Sequence, residues 1–406
     1  MSNRDRIDIN SYVKVLQTLG RFYILPRLQF IYTERNEPQL LFLGSPSLRS
    51  FRASRSLMSG NADHLHAFVD LLPSTAPKTQ ALHTTFPLWE RCLRAIQRMP
   101  ELRFLCIDAG DFDNRQSLSA DFLMNFASRQ ILRRLWLHGK ISIVPPLSSG
   151  VPVSIFHTLA LLSLTTLNET SIAEYTPLFH VGKFPSLQKI IIRLVDDHTP
   201  GRSPSPTKLW RNFFKHLRSA TTNSLSAMTV QITGSIASQV SFEDIPDLQT
   251  FSFDGFRTNL FHSLSAANVL RMFACWPGFT RLQISGVNQV TIGFSLLVDI
   301  ARQFPLLEDL EIQINCQTFP GVDDVPILQH DLDTLTLSPL HLKYHITLAR
   351  CIDRVFPKLV VLSISGSAEF LKSGVGKEVQ EIYEGLQSAR KDQRKRDQAS
   401  ISSTSH

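Results

Sequence analysis

At 406 residues, with 43% apolar and 19% charged side chains, the chain carries enough apolar surface for a folded core and is not read as disordered. It has no run of about 18 apolar residues, so no transmembrane helix is expected, and its five scattered cysteines without a CxxC argue against a disulfide or zinc framework. The net charge of +7 is concentrated early: residues 1–140 hold 19 Lys+Arg against 12 Asp+Glu, or +7, which leaves nucleic acid or an acidic protein open as partners.

The first segment, MSNRDRIDIN, is polar and lacks the apolar region of a secretory signal. Helical spacing is expected at 9–24, 62–72, 88–99 and 119–130. The same i, i+3, i+4, i+7 pattern recurs in KLWRNFFKHLRSAT (208–221), SAANVLRMFACWP (265–277), GFSLLVDIARQFP (293–305) and HITLARCIDRVFP (345–357). Asp63, His64 and His66 stand close together in sequence, but helix neighbours one and two apart do not share a face, so they read as a surface helix rather than a metal site.

Between the helices one phrase returns: a Pro, any residue, Leu, two residues, then two apolar residues flanking one other. It stands as PELRFLCI (100–107), PSLQKIII (185–192), PDLQTFSF (246–253), PLLEDLEI (305–312) and PKLVVLSI (357–364). With weaker versions included, the anchors are Leu28, Leu48, Thr79, Leu102, Leu132, Leu159, Leu187, Leu225, Leu248, Phe279, Leu307, Leu332 and Leu359, of which Thr79 and Leu225 are the weakest. Their mean spacing is about 28 residues, within the range of leucine-rich repeats. Positions three and five after the anchor alternate with polar residues, as in a short half-buried strand, and the Pro closes the preceding helix.

The expectation is an α/β fold: a leucine-rich-repeat-like solenoid, or horseshoe, with a parallel sheet on its concave face and helices on its convex face. Residues 1–376 form about 13 irregular units; residues 196–208, DDHTPGRSPSPTK, form an insertion loop whose Thr199, Ser203 and Ser205 each precede Pro and are possible phosphorylation sites; residues 377–406 form a charged helix and a disordered tail. The RKDQRKR run in that tail reads as a solvated helix end, with a nuclear import patch as the alternative.

A search for chemistry finds no HExxH and no GxSxG elbow, and SGVGKE (373–378) lacks both the first Gly and the final hydroxyl residue of a phosphate loop. No enzyme, metal or cofactor is expected. The stronger prediction is a partner-binding face. Residues two, four and six after each anchor point outward, and they supply Arg52, Phe104, Arg134, Trp136, His138, Lys189, Arg193, Asp254, Arg281, Gln283, Asp309 and Glu311. The face would run from basic to acidic, with Trp136 either an interface anchor or a residue covered by its surroundings.

LLFLGSPSLRSFRAS (40–54), DHLHAFVDLLPSTAPKTQAL (63–82) and ARCIDRVFPKLVVLSISGSAEF (349–370) resemble the repeat region of fungal F-box/leucine-rich-repeat proteins, the type found in mushroom-forming fungi. The resemblance implies a non-enzymatic protein-recognition solenoid, like the substrate-binding part of a ubiquitin-ligase receptor. In that family an F-box docks on the ligase's linker subunit. Here residues 1–25 run into the first repeat with no F-box-like helices, so the expectation is a fragment or a free-standing recognition solenoid, in cytosol or nucleus. The alternative is a nucleic-acid-associated protein that uses the basic N-terminal third.

Overall fold

The computed structural model describes residues 24–34, 36–53, 62–109, 116–144, 154–166, 172–195, 206–221, 224–233, 248–258, 278–287, 293–340, 344–365 and 374–404, with a few single positions besides. Thr199, Ser203, Ser205, most of the expected helices at 9–24 and 265–277, and Cys275 lie outside those residues. The chain divides into two compact units, Met1–Leu225 and Ser226–His406.

In the first unit the chain runs β1 (Phe30–Thr33), β2 (Ser50–Ala53), α1 (Asp63–Thr75), β3 (Ala81–Thr84), α2 (Glu90–Gln97), β4 (Phe104–Asp108), β5 (Gln116–Ser119), α3 (Ala120–Arg129) and β6 (Arg134–His138). It continues through β7 (Ile141–Val144), β8 (Ser154–Ile155), β9 (Leu161–Thr166), α4 (Ile172–Val181), β10 (Gly182–Lys183), β11 (Lys189–Val195) and α5 (Pro206–Thr221). Its main sheet is parallel, in the order β1-β2-β3-β4-β6-β9-β11. Two small parallel pairs, β5 with β7 and β10 with β8, lie outside that sheet and were not expected from the sequence.

The second unit holds β12 (Ala227–Thr233), β13 (Thr250–Thr258), β14 (Arg281–Val287), α6 (Ser295–Gln303), β15 (Asp309–Asn315), β16 (Thr334–Leu340), α7 (His345–Val355), β17 (Val361–Ile364) and α8 (Val375–Thr404). Its strands are parallel and consecutive from β12 to β17. Each unit is thus a leucine-rich-repeat-like solenoid of the α/β class.

The register follows the phrase. The residue two after one anchor faces the residue two after the next: Phe30 with Ser50, Ser50 with Ala81, Phe104 with Arg134, Arg281 with Asp309, Thr334 with Val361. A backbone fork enforces this. The carbonyl just after an anchor accepts two N–H groups from the next repeat, as Arg103 O does from Arg133 and Arg134 at 2.8 and 3.1 Å. The same fork recurs at Arg49, Gln80, Arg133, Ala160, Ser226, Gln249, Thr280, Glu308 and Asp333.

Pro sets the angle of approach. In Ala76–Thr79, Phe184–Leu187, Phe304–Leu307 and Phe356–Leu359 the anchor N–H donates to the carbonyl three residues back, at 3.1–3.2 Å. Pro therefore occupies the second position of a four-residue turn, where its fixed φ is already correct.

All the anchors except the half-buried Leu28 are buried. Even Thr79 fits, because its hydroxyl donates to the Ala76 carbonyl at 2.7 Å. Helices close the core from the other side; Phe68 of α1 meets Phe51 of β2 with ring centres 4.9 Å apart. The helix pattern carries one correction. His66 is buried, not on a surface, and its Nε2 bonds the Pro87 carbonyl at 2.7 Å. It lies on the apolar stripe of α1 with Leu65, Val69 and Leu72.

Gly182 is required by close approach, since a Cβ there would stand 2.8–3.0 Å from the rings of Phe156 and Phe184. In the second unit, α8 docks on α7 and the last turn through Val379 and Tyr383. The Tyr383 hydroxyl lies 3.1 Å from the Phe356 carbonyl, and Arg390 pairs with the buried Asp353.

Leu310→Ala removes a fully buried strand residue, and the expected cost is about 2–5 kcal/mol in urea unfolding. Lys189→Ala, at an exposed outward position, is expected to change stability by less than about 0.5 kcal/mol. Equal costs would contradict the assignment of inward and outward positions.

Candidate functional site

On the outward face of the first unit, the residues four after each anchor align across the strands. Tyr32 faces Arg52, Arg52 faces His83, His83 faces Cys106, Cys106 faces Trp136, Trp136 faces Ser163 and Ser163 faces Ile191. Parallel strands lie about 4.8 Å apart, so neighbours in this row touch.

Trp136 is half-buried. Phe104 meets its ring edge-on at 5.0 Å and 83°, and His138 stacks on it at 5.7 Å and 16°. His138 Nε2 lies 3.4 Å from Ser163 Oγ, which also accepts from Arg193 at 3.5 Å. Asp108 lies in register with His138. Burial pulls the His138 pKa down to about 4; the Asp108 carboxylate opposes this, whereas Arg193 and His83 reinforce it. The imidazole is therefore neutral near pH 7. His83 is also shifted down, by burial first and then by Arg52.

Arg52 extends over the Tyr32 ring, 5.7 Å from its centre, in a cation–π contact. Arg134 and Lys189 are exposed. The structure thus gathers Phe104, Trp136, His138 and Arg193 into one cluster, with Arg134 on the same strand as Trp136, Lys189 two strands away and Arg52 three strands away. Two polar atoms of this face, Trp136 Nε1 and Thr165 Oγ1, are shielded from solvent with no hydrogen-bond partner among the described residues.

The remaining predicted residues fall on the second unit. Arg281 pairs with Asp309 at 3.0 Å, and Gln283 accepts from Ser252 at 2.9 Å. This ion pair neutralises one basic and one acidic charge on these strands. Glu311 is half-buried in β15. Asp254 lies in β13, in register with Ser285, and its side chain is outside the described residues.

Some outward positions differ from the sequence reading. Cys106 is fully buried despite lying on the outward side, because the larger His83 and Trp136 flank it. Ser163 is buried for the same reason, between Trp136 and Ile191. His83, Ser163 and Thr165 were missed because their repeats have weak anchors or lack the Pro; counting four and six residues from Thr79 and Leu159 finds them.

Among the described residues no three His, Cys, Asp or Glu side chains come together to hold a metal ion. The described thiols are buried and free; burial pushes Cys92 up to about 11 and Cys316 up to about 12, which keeps them protonated. No described helix is long and apolar enough to cross a membrane.

No protein-family model matches the chain, and neither does any curated protein. Among solved structures the chain is similar to the leucine-rich-repeat-containing protein LegL7 of Legionella pneumophila, at 11% identity and a TM-score of 0.35, over 83% of this chain and 91% of that one. A Bacteroides fragilis protein is similar at 11% identity and a TM-score of 0.32, over 81% of this chain and 67% of that one. The fold assignment stands on the strand ladder and turns rather than on these likenesses.

The depressed pKa of His138 has a definite sign. The unfolded chain binds a proton near pH 6.5, the folded chain only near 4, so the contribution to stability is complete above about pH 6.5 and is lost as pH falls toward 4. His138→Gln is expected to flatten that loss by at most about 1.4 kcal/mol per pH unit, read from urea unfolding at stepped pH. Superimposable pH profiles would show that His138 titrates normally.

Proposed function

We propose that the chain is a non-catalytic recognition solenoid that captures a protein partner on the outward strand face of its first unit, with Trp136 as the anchor. The observation that carries this reading is the Trp136 cluster. A large aromatic ring is held edge-on by Phe104 and stacked on a neutral His138, which fixes its orientation on the outward face. Trp and Arg dominate interface hot spots, and a pre-ordered ring loses little freedom on binding. Arg134, Arg52 and Lys189 on the same face favour a partner with acidic groups at its rim.

Recognition of a protein substrate is the role this repeat region plays in the F-box receptors that the sequence resembles, and it is the partner class we favour. The buried free thiols fit a reducing compartment, cytosol or nucleus. The nucleic-acid reading is weaker. Part of the early basic excess is already paired, Arg91 with Asp70 at 2.6 Å and Arg94 with Glu90 at 3.3 Å.

Affinity capture with the full chain tests the proposal. Trp136→Ala and Arg193→Ala are expected to lose the same captured proteins, whereas Arg94→Ala on α2 retains them. The Trp136 substitution is expected to cost only about 1 kcal/mol of stability, the value of an aromatic pair. Capture that survives Trp136→Ala would place the site elsewhere, and capture abolished by nuclease would favour nucleic acid.

A further inference from the structure

Among the described residues, the sheet of the second unit ends in an open strand. β17 pairs with β16 on one side and closes the strand order of that unit. In every preceding fork the carbonyl after the anchor takes two N–H groups from the next repeat. Asp333 O, for example, takes those of Val360 and Val361 at 3.0 and 2.9 Å. The counterpart on β17 is the Val360 carbonyl, which no described residue takes up. Parallel pairing uses alternate residues for each neighbour. Val361 and Ser365 donate toward β16, so the N–H and C=O of Leu362 and Ile364 point to the open side.

That side is a groove rather than a bare edge. A cavity of about 650 Å³ lies between residues 357–362 and the α8 face that carries Tyr383, Gln387, Lys391 and Arg394. Its strand wall exposes apolar surface, with Val360 74% and Val361 49% accessible. Its helix wall is basic. Arg390 is bound to Asp353 and Lys358 to Asp331, but Lys391 and Arg394 stand one helical turn apart with no ion-pair partner among the described residues. The one acid lining the groove, Glu384, accepts from Gln380 at 3.2 Å.

We propose that this groove docks an extended acidic segment of a partner protein, which adds as a further strand to β17 and sets its carboxylates against Lys391 and Arg394. Main-chain hydrogen bonds supply a register, and alternate side chains supply specificity, as in other cases of strand addition. Apolar residues of the segment would cover Val360 and Val361, while the acidic ones meet the helix. Charge argues against a second copy of the chain as occupant. A two-fold edge-to-edge pair would bring one basic α8 against another. The site shares no residue with the Trp136 face, so either one can fail without the other.

The test uses the full-length chain and a fluorescent peptide of alternating Glu and Val, with binding read by anisotropy at low salt. Saturable binding is expected to weaken at least about tenfold when alternate peptide amides are N-methylated, a change that leaves the protein untouched. It is also expected to weaken at least about tenfold in the K391E/R394E double variant, whose thermal unfolding should match the parent because both positions are exposed. No binding by the parent chain, equal binding of the N-methylated peptide, or no effect of the charge reversal would each overturn the proposal. So would a concentration-dependent dimer abolished by Val360→Lys, which would give the edge to a second copy.

Discussion

The carbonyl that follows each anchor governs the architecture. By accepting two amides from the next repeat, it fixes both the spacing and the phase of adjacent strands. A slip of one residue would turn every inward Leu to solvent, so register and core are a single constraint. The Pro turn works with the fork. In the repeats that carry it, it delivers the anchor into the core at one angle, although the intervals between anchors range from about 20 to 38 residues. Irregular spacing is tolerated because the variation is absorbed before the turn, where no fork depends on it.

This explains which parts of the molecule were legible in the sequence. Leu102, Leu187 and Leu307 announce themselves through Pro, Leu and alternation, and the structure buries each of them. Thr79 is, with Leu225, one of the two weakest anchors, and it holds by bonding its hydroxyl to the turn carbonyl rather than by apolarity. The small β5–β7 and β8–β10 pairs were not legible. Their segments are short and sit within connections, where no periodicity has room to develop. The docking of α8 rests on Val379 and Tyr383 in an otherwise charged stretch, a thin signal beside its Lys and Arg.

The outward face was legible as a direction but not as an accessibility. Counting from the anchors correctly sends Cys106 and Ser163 to the same side as Trp136, yet neither reaches solvent. On a ladder of closely spaced strands, a small side chain between two large ones is eclipsed, and this depends on neighbours some 25 to 30 residues away. The cluster of Phe104, Trp136, His138, Ser163 and Arg193 is likewise assembled from four strands. Its stacked rings and depressed imidazole pKa belong to the ladder, not to any one repeat.

Amide hydrogen exchange resolved to single residues tests the fork most directly. The amides two after each anchor in interior strands, such as Phe104, Arg134, Arg281 and Thr334, should be among the slowest to exchange. Those of Leu362 and Ile364, which face the open edge of β17, should exchange far faster although they lie in a strand. Uniform protection across β17, or rapid exchange at Arg134 and Arg281, would contradict the ladder on which this account rests.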